Sequence, residues 1–134
     1  MIGSFERSQA RMQGKLFQLS GDEGYDSEGF IKTFMTSKIA KALDSEFDFL
    51  QWAGKEYIFE KIGEELPQAL QKGGNVFDGE TLYWTGYLYR LWHFYTGESS
   101  KAIYHQADAR RMNSAFLAYH CMDPEMAIER LKEA

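Results

Sequence analysis

The feature that most constrains the fold of this chain is its shortage of strand-forming patterns. Valine occurs once in the 134 residues, at Val76, and no segment sustains the alternation of polar and apolar residues typical of a half-buried strand. Apolar residues recur instead at helical spacing, between capping residues, glycines and prolines that end helices. The sequence therefore predicts an all-α fold, and we expect a compact single-domain bundle of about six helices.

Capping residues and helix breakers divide the chain into segments. We expect helices over residues 4–19, 27–43, 45–66 and 78–96, and then shorter helices through "KAIYHQ", "ARRMNSAFLAYHCM" and "DPEMAIERLKEA". Ser45 is expected to cap the third helix, with Asp48 three residues later as in a capping box. Gly97 is placed to end the fourth helix. Asp123 and Pro124 mark the start of the last helix, which is the sharpest boundary in the sequence.

The first 29 residues differ in character from the rest of the chain. The segment "SGDEGYDSEG" contains three glycines and four acids, which predicts a flexible acidic loop after the first helix. We expect residues 1–134 to form a single helical domain, in which residues 1–29 are an N-terminal helix and this loop. We expect the first helix to pack through Phe5, Leu16 and Leu19. Two alternatives remain open: a loosely attached helix, or a helix that docks on a second copy of the chain.

Charge and cysteine content narrow the class of function. The net charge of -5 argues against nucleic acid as a partner and suits a basic protein partner. No run approaches the roughly 20 apolar residues of a membrane span, so no membrane association is expected. The single cysteine, Cys121, cannot form an internal disulfide, which fits a cytoplasmic location. We expect Cys121 to be a small buried apolar group.

The stretch "YWTGYLYRLWHFYTGE" is the densest aromatic segment and has two interpretations. In the first it is the central core helix, and Gly86 permits a close crossing with another helix. In the second, Tyr83, Tyr87, Arg90 and His93 line a binding recess. Arg90 would anchor an anionic group there, while the rings stack on a planar ligand or on a side chain of a partner.

The sequence offers weak signals for catalysis or metal binding. His120 and Cys121 are adjacent, and neighbouring residues on a helix point about 100° apart, so they are poorly placed as a base and nucleophile. Glu56, Glu60 and Glu64 follow one helix face, which is typical of a solvated surface. The histidines lack metal-site spacing. We therefore predict no catalytic residue, no metal and no cofactor.

Three segments together resemble one family of small bacterial proteins. They are "FIKTFMTSKIAKALDSEFDFLQWAGKEYIFEKI", "LYWTGYLYRLWHFYTGESSKAIYHQA" and "FLAYHCMDPEMAIERL", and the resemblance covers Phe30 to Leu131. Members of that family tend to be encoded beside ADP-ribosyltransferase-like toxins. The resemblance implies a component of a toxin–antitoxin-type system, without saying which component. It implies no catalytic residues. The segment before Phe30 lies outside it, so the resemblance makes residues 30–134 the family core of the domain.

Two functions of different classes follow from these observations. The first is a non-catalytic interaction protein, antitoxin-like or accessory, that meets a basic partner through its acidic surface, with Arg90 and nearby tyrosines as contacts. A homodimer is compatible with this function. The alternative is a small enzyme or ligand-binding regulator with an anion-binding pocket at Tyr83, Tyr87, Arg90 and His93. The lack of a nucleophile, metal cluster or phosphate loop favours the first.

Overall fold

The computed structural model describes residues 2–45 and 49–133, which form eight α-helices and two short 3₁₀ helices. The α-helices are α1 (Ser4–Asp22), α2 (Ser27–Met35), α3 (Lys38–Asp44), α4 (Lys55–Glu65), α5 (Gly79–Thr96), α6 (Ser100–Gln106), α7 (Ala109–Tyr119) and α8 (Pro124–Glu133), and the 3₁₀ helices span Phe49–Trp52 and Pro67–Ala69. Within the described residues there is no strand, and Tyr25 and Lys72 form an isolated β-bridge. The predicted all-α class is confirmed, and the predicted count of about six helices is too low.

One of the additional helices arises because the predicted helix over residues 27–43 is broken. The Thr36 hydroxyl donates a 2.8 Å hydrogen bond to the carbonyl of Lys32, and the Ser37 Oγ accepts one of 3.1 Å from the Ala40 amide. Serine and threonine side chains that bond to nearby backbone groups compete with the helical ladder. Thr36 and Ser37 therefore end α2 and begin α3, and the prediction of one continuous helix is wrong.

The predicted third helix also starts later than expected. Ser45 directly follows α3, where its amide donates to the Ala42 carbonyl, and α4 begins only at Lys55. Ser45 therefore does not cap α4, and the prediction that it does is wrong. Asp48, the other half of the predicted capping pair, lies outside the described residues.

Helices α1 and α5 form the central pair of the bundle. Gly86 of α5 lies opposite Gln13 of α1, and Gly79 lies opposite Gln18, so the two helices are antiparallel. A Cβ atom at Gly86 would lie 2.5 Å from the carbonyl oxygen of Gln13, which confirms the close crossing predicted there. A Cβ at Gly14 would similarly lie 2.9 Å from the Tyr83 carbonyl oxygen. Helix α1 therefore packs against α5 at backbone distance in this structure.

The connection between α1 and α2 is shorter than the loop predicted over residues 20–29. Helix α1 continues to Asp22, and a short turn through Gly24, which has a φ of 81°, leads directly to α2. The Asp26 carboxylate caps α2 by accepting a 2.9 Å hydrogen bond from the Gly29 amide. Its other oxygen accepts one of 2.9 Å from the Asn75 amide, which ties this turn to a distant loop.

Aromatic rings fill the centre of the core. The Phe17 ring of α1 meets those of Phe30, Phe34 and Tyr89 edge-on, at centroid distances of 5.6, 5.5 and 6.2 Å. Helix α5 contributes Tyr89 and Trp92, which are almost fully buried, and it contacts α1, α6, α7 and α8. No helix in the described part of the chain is long and apolar enough to cross a membrane.

In the C-terminal third the helices start close to their predicted positions, but α7 ends at Tyr119, three residues before its predicted end. Gly97 ends α5 in the left-handed conformation with a φ of 79°, and Ser99 caps α6 by accepting a hydrogen bond from the Ala102 amide. Asp108 caps α7 in the same way. Pro124 is the first residue of α8, as predicted. These boundaries depend on residues close in sequence.

Candidate functional site

Arg90 lies at the centre of a polar cluster inside the bundle, with 1% of its surface exposed. Its Nε donates to the Gln13 side-chain oxygen at 2.9 Å, its Nη1 to Asp44 Oδ1 at 2.6 Å and its Nη2 to Ser100 Oγ at 3.1 Å. These contacts join α1, α3 and α6 to α5. Each nitrogen of the Arg90 guanidinium therefore has a partner inside the protein, and its role as an anchor for an anionic ligand stays a prediction.

The Asp44 carboxylate completes this cluster. Its Oδ1 also accepts a 2.7 Å hydrogen bond from the Ser100 hydroxyl, and its Oδ2 accepts one of 2.8 Å from the Ser100 amide. Burial lowers the pKa of Arg90, while the charge and hydrogen bond of Asp44 oppose this shift. An arginine remains protonated in proteins even so. The cluster therefore contains a charge-balanced pair whose hydrogen-bonding groups are satisfied.

The other predicted site residues occupy two different surroundings. The His93 Nδ1 lies 2.7 Å from the Glu98 carbonyl oxygen and 3.7 Å from Asp44 Oδ1. His93 borders a cavity of about 510 Å³ that Asp44 also lines. The half-buried rings of Tyr83 and Tyr87 stack on each other at 6.0 Å. The structure thus brings Arg90 and His93 together at Asp44, and it places the two tyrosines against each other.

The side chains of His120 and Cys121 contact each other, although two adjacent residues on a helix would point apart. Helix α7 ends at Tyr119, so the two residues lie in a turn, and the Cys121 Sγ is 3.4 Å from the His120 Nε2. Cys121 is exposed, which corrects the prediction of a buried thiol. The His120 Nδ1 contacts the Phe116 carbonyl oxygen at 2.7 Å. A solvent-facing thiol beside one imidazole does not by itself make a catalytic site.

The acidic residues considered on α4 lie at the surface. Glu56, Glu60 and Glu64 are exposed on α4, as predicted for a solvated face. Over residues 2–45 and 49–133, no group of three or more histidine, cysteine or acidic side chains is arranged to hold a metal ion.

Comparisons with known proteins identify no relative of this chain. No model of a protein family matches it, and searches of curated proteins and of solved structures find no similar protein.

A surface on α8 combines acidic charge with exposed apolar groups. Glu125, Glu129 and Glu133 succeed one another at every fourth residue, so they lie along one side of the helix. Met126, which is 51% exposed, and Tyr95 of α5, which is 39% exposed, lie beside them. Together these five residues border a depression of about 460 Å³. We call them the α8 acidic surface.

The environment of Tyr95 shows the negative potential of this surface. The Tyr95 hydroxyl donates a 2.8 Å hydrogen bond to Glu129 Oε1. That hydrogen bond raises the pKa of Tyr95, and partial burial and the charges of Glu129, Glu125 and Asp123 raise it further. Arg130 is the cation that also lines the depression. The surface is therefore suited to cationic groups that carry apolar stems.

Sequence reasoning missed this surface although part of its signal was available. The spacing of the three glutamates on α8 is the same as that of the acidic face of α4. What distinguishes α8 is the adjacent Tyr95, which lies 34 residues from Glu129 in sequence. Only the packing of α5 against α8 reveals the combination.

Proposed function

We propose that this protein is a non-catalytic interaction component that binds a basic protein partner at the α8 acidic surface. The observation that carries the proposal is the exposure of Met126 and Tyr95 among three glutamates. Tyrosine and methionine are enriched at protein interfaces, where they supply apolar contact area. Surrounding charges of one sign select a partner of the opposite sign and accelerate its association.

The ion pairing of the glutamates supports the choice of α8 over α4. On α4, Glu56 pairs with Lys55 and Glu65 pairs with Lys61, each at 2.6 Å, so part of its charge is neutralised. On α8, none of the three glutamates forms an ion pair with another residue that the structure describes. Glu129 accepts its hydrogen bond from the uncharged Tyr95 hydroxyl and not from a cation. The two helices therefore provide a matched pair of acidic faces for comparison.

The resemblance to a bacterial family supports a more specific form of the proposal. In that form the basic partner belongs to a toxin–antitoxin-type system, and this chain is its antitoxin-like or accessory component. The resemblance alone supports this part of the proposal. The geometry of α8 supports only the interaction with a basic protein.

A pull-down of tagged protein from its native host, followed by mass spectrometry and a size measurement, tests the proposal. The variant Glu125→Lys/Glu133→Lys reverses the charge of α8, and Glu60→Lys/Glu64→Lys makes the same change on α4 as a control. We expect to recover a basic partner in stoichiometric amount. Its affinity for the α8 variant should be at least about tenfold lower than for the unchanged protein, and its affinity for the α4 variant should change little. The interaction should also weaken as the salt concentration increases.

Two results would contradict the proposal. One is a partner that binds the α8 variant as tightly as it binds the unchanged protein. The other is the recovery of only monomer or self-dimer under conditions in which the tagged protein is folded. Identification of a transferase-like toxin as the partner would extend the support to the toxin–antitoxin form.

A further inference from the structure

A second recess lies between the turn that joins α2 to α3 and the beginning of α6. It has a volume of about 250 Å³, and its lining includes Met35, Lys41, Asp44, Ser99 and Lys101. Pockets for drug-sized ligands occupy about 300–1,000 Å³, so this recess suits a smaller molecule. We call it the α3–α6 cavity.

The charges around the α3–α6 cavity are positive in a chain whose net charge is -5. Lys41 and Lys101 are exposed, and neither forms an ion pair within the part of the chain that the structure describes. Asp44 also lines the cavity, but its charge is balanced by Arg90 at 2.6 Å. Two ammonium groups therefore remain uncompensated at the cavity.

The remaining lining provides a hydrogen-bond donor and an apolar wall. The Ser99 Oγ accepts from the Ala102 amide at 3.1 Å, and its hydroxyl hydrogen is directed to no acceptor among the described residues. Met35 is 1% exposed and lines the same cavity, so it forms an apolar inner wall. Lysine ammonium groups bind phosphates and carboxylates as point charges.

We propose that the α3–α6 cavity binds a small organic dianion, a phosphate monoester or a dicarboxylate with a compact apolar body. Lys41 and Lys101 neutralise the two negative charges, Ser99 donates a hydrogen bond, and Met35 contacts the apolar part of the ligand. This site is separate from the α8 acidic surface. The proposal therefore does not depend on the interaction with a basic partner.

Purified full-length protein with no partner present allows a direct test by calorimetry and thermal denaturation. The probes are phenyl phosphate, succinate and inorganic phosphate, with phenol as the uncharged control. We expect saturable binding of a dianionic probe that raises Tm by mass action and weakens with added salt. Phenol should neither bind at the same concentrations nor raise Tm.

Matched variants locate the binding. Lys41→Gln/Lys101→Gln removes both proposed charges and should lower the affinity at least about tenfold. Lys32→Gln/Lys38→Gln removes the same charge from exposed positions of α2 and α3 and should change the affinity less than about twofold. Because all four lysines are exposed, the variants should fold, and circular dichroism checks this. If the double variant does not fold, the single variant Lys101→Gln replaces it and should still lose affinity.

The binding results for the different probes show which class of dianion the cavity prefers. Binding of phenyl phosphate alone identifies a phosphate monoester, and binding of succinate alone identifies a dicarboxylate; either supports the proposal. Three results overturn it: no saturable binding of any dianionic probe, equal loss of affinity in the two lysine pairs, or binding of phenol as tight as that of phenyl phosphate.

Discussion

Removal of the Arg90 guanidinium leaves the Asp44 carboxylate without its cation inside the bundle. We expect Arg90→Met to lower the free energy of unfolding by about 3–5 kcal/mol. Removal of one partner of a buried ion pair leaves the other partner as an uncompensated buried charge. Gln13 and Ser100 also lose a hydrogen-bond partner. Urea denaturation followed by circular dichroism measures the change.

The matched control for this substitution removes both charges. Arg90→Met/Asp44→Leu replaces the pair by apolar groups, and such replacements are often neutral or stabilising. We expect the double variant to recover more than half of the stability that Arg90→Met loses. If Arg90→Met alone is as stable as the unchanged protein, the Arg90–Asp44 ion pair does not stabilise the fold.

Glu98 provides a second prediction at the scale of one residue. Partial burial opposes its ionisation, but hydrogen bonds from Lys132, Trp92 and Gln106 outweigh this and lower the pKa of Glu98 to about 2 from its ordinary value of 4.5. The pKa of Glu98 is lower in the folded state than in the unfolded state. The ionised Glu98 carboxylate therefore stabilises the fold fully above about pH 4.5, and this stabilisation disappears as the pH falls toward 2.

Replacement of this carboxylate should remove that pH dependence. We expect Glu98→Gln to cost about 1–2 kcal/mol at neutral pH, a value reduced for screening because the side chain is partly in solvent. The cost should shrink as the pH falls from 4.5 to 2. Thermal unfolding across this range measures it, with Glu60→Gln on the exposed face of α4 as the control. A cost that stays constant with pH would disprove the assignment.

At the scale of the elements, the crossing of α1 and α5 depends on glycine. Gly86→Ala places a methyl group 2.5 Å from the Gln13 carbonyl oxygen, so the two helices must separate. We expect a loss of about 2–4 kcal/mol in the free energy of unfolding, as in other overpacked or strained cores. Chemical denaturation provides the measurement.

Gly63→Ala is the control for this prediction. Gly63 lies within α4, and a Cβ there meets only the Leu70 Cδ1, at an ordinary contact distance of 3.7 Å. Alanine stabilises a helix interior by about 0.5–1 kcal/mol relative to glycine, so this variant should be slightly more stable. Equal effects of the two alanines would show that steric contact at Gly86 does not determine the packing.

The elements that could be predicted from sequence are those with local signals. Gly97 and Pro124 mark boundaries because each acts on neighbouring backbone groups. The continuation of α1 through Gly21 could not be predicted in this way, because Leu82 of α5 packs against that position from 61 residues away. Tertiary packing there outweighs the weak helix propensity of glycine.

The candidate site follows the same division between local and distant signals. The aromatic stretch correctly indicated the central helix, yet the partner of Arg90 is Asp44, 46 residues earlier in the chain. No local pattern connects these two residues, so the sequence could not show that Arg90 is internally paired. The exposure of Tyr95 likewise depends on how α8 lies against α5.

At the scale of the whole molecule, α1 is part of the core. It contributes the fully buried Leu16 and Phe17, and its Gln13 binds Arg90. We expect a chain that lacks residues 1–22 to lose cooperative thermal unfolding, because Phe30, Phe34 and Tyr89 would lose the ring that they surround. Calorimetry and circular dichroism detect this loss. Native-like cooperative unfolding of residues 23–134 would instead show that α1 is an accessory helix.

The pairing of α1 with α5 has a consequence for the synthesis of the chain. Gln13 binds the Gly86 carbonyl, 73 residues further along, so α1 cannot complete its packing until α5 has been made. At about 5–20 residues per second, translation separates the two by roughly 4–15 seconds. During this interval the apolar face of the nascent α1 is exposed to chaperones and to other chains.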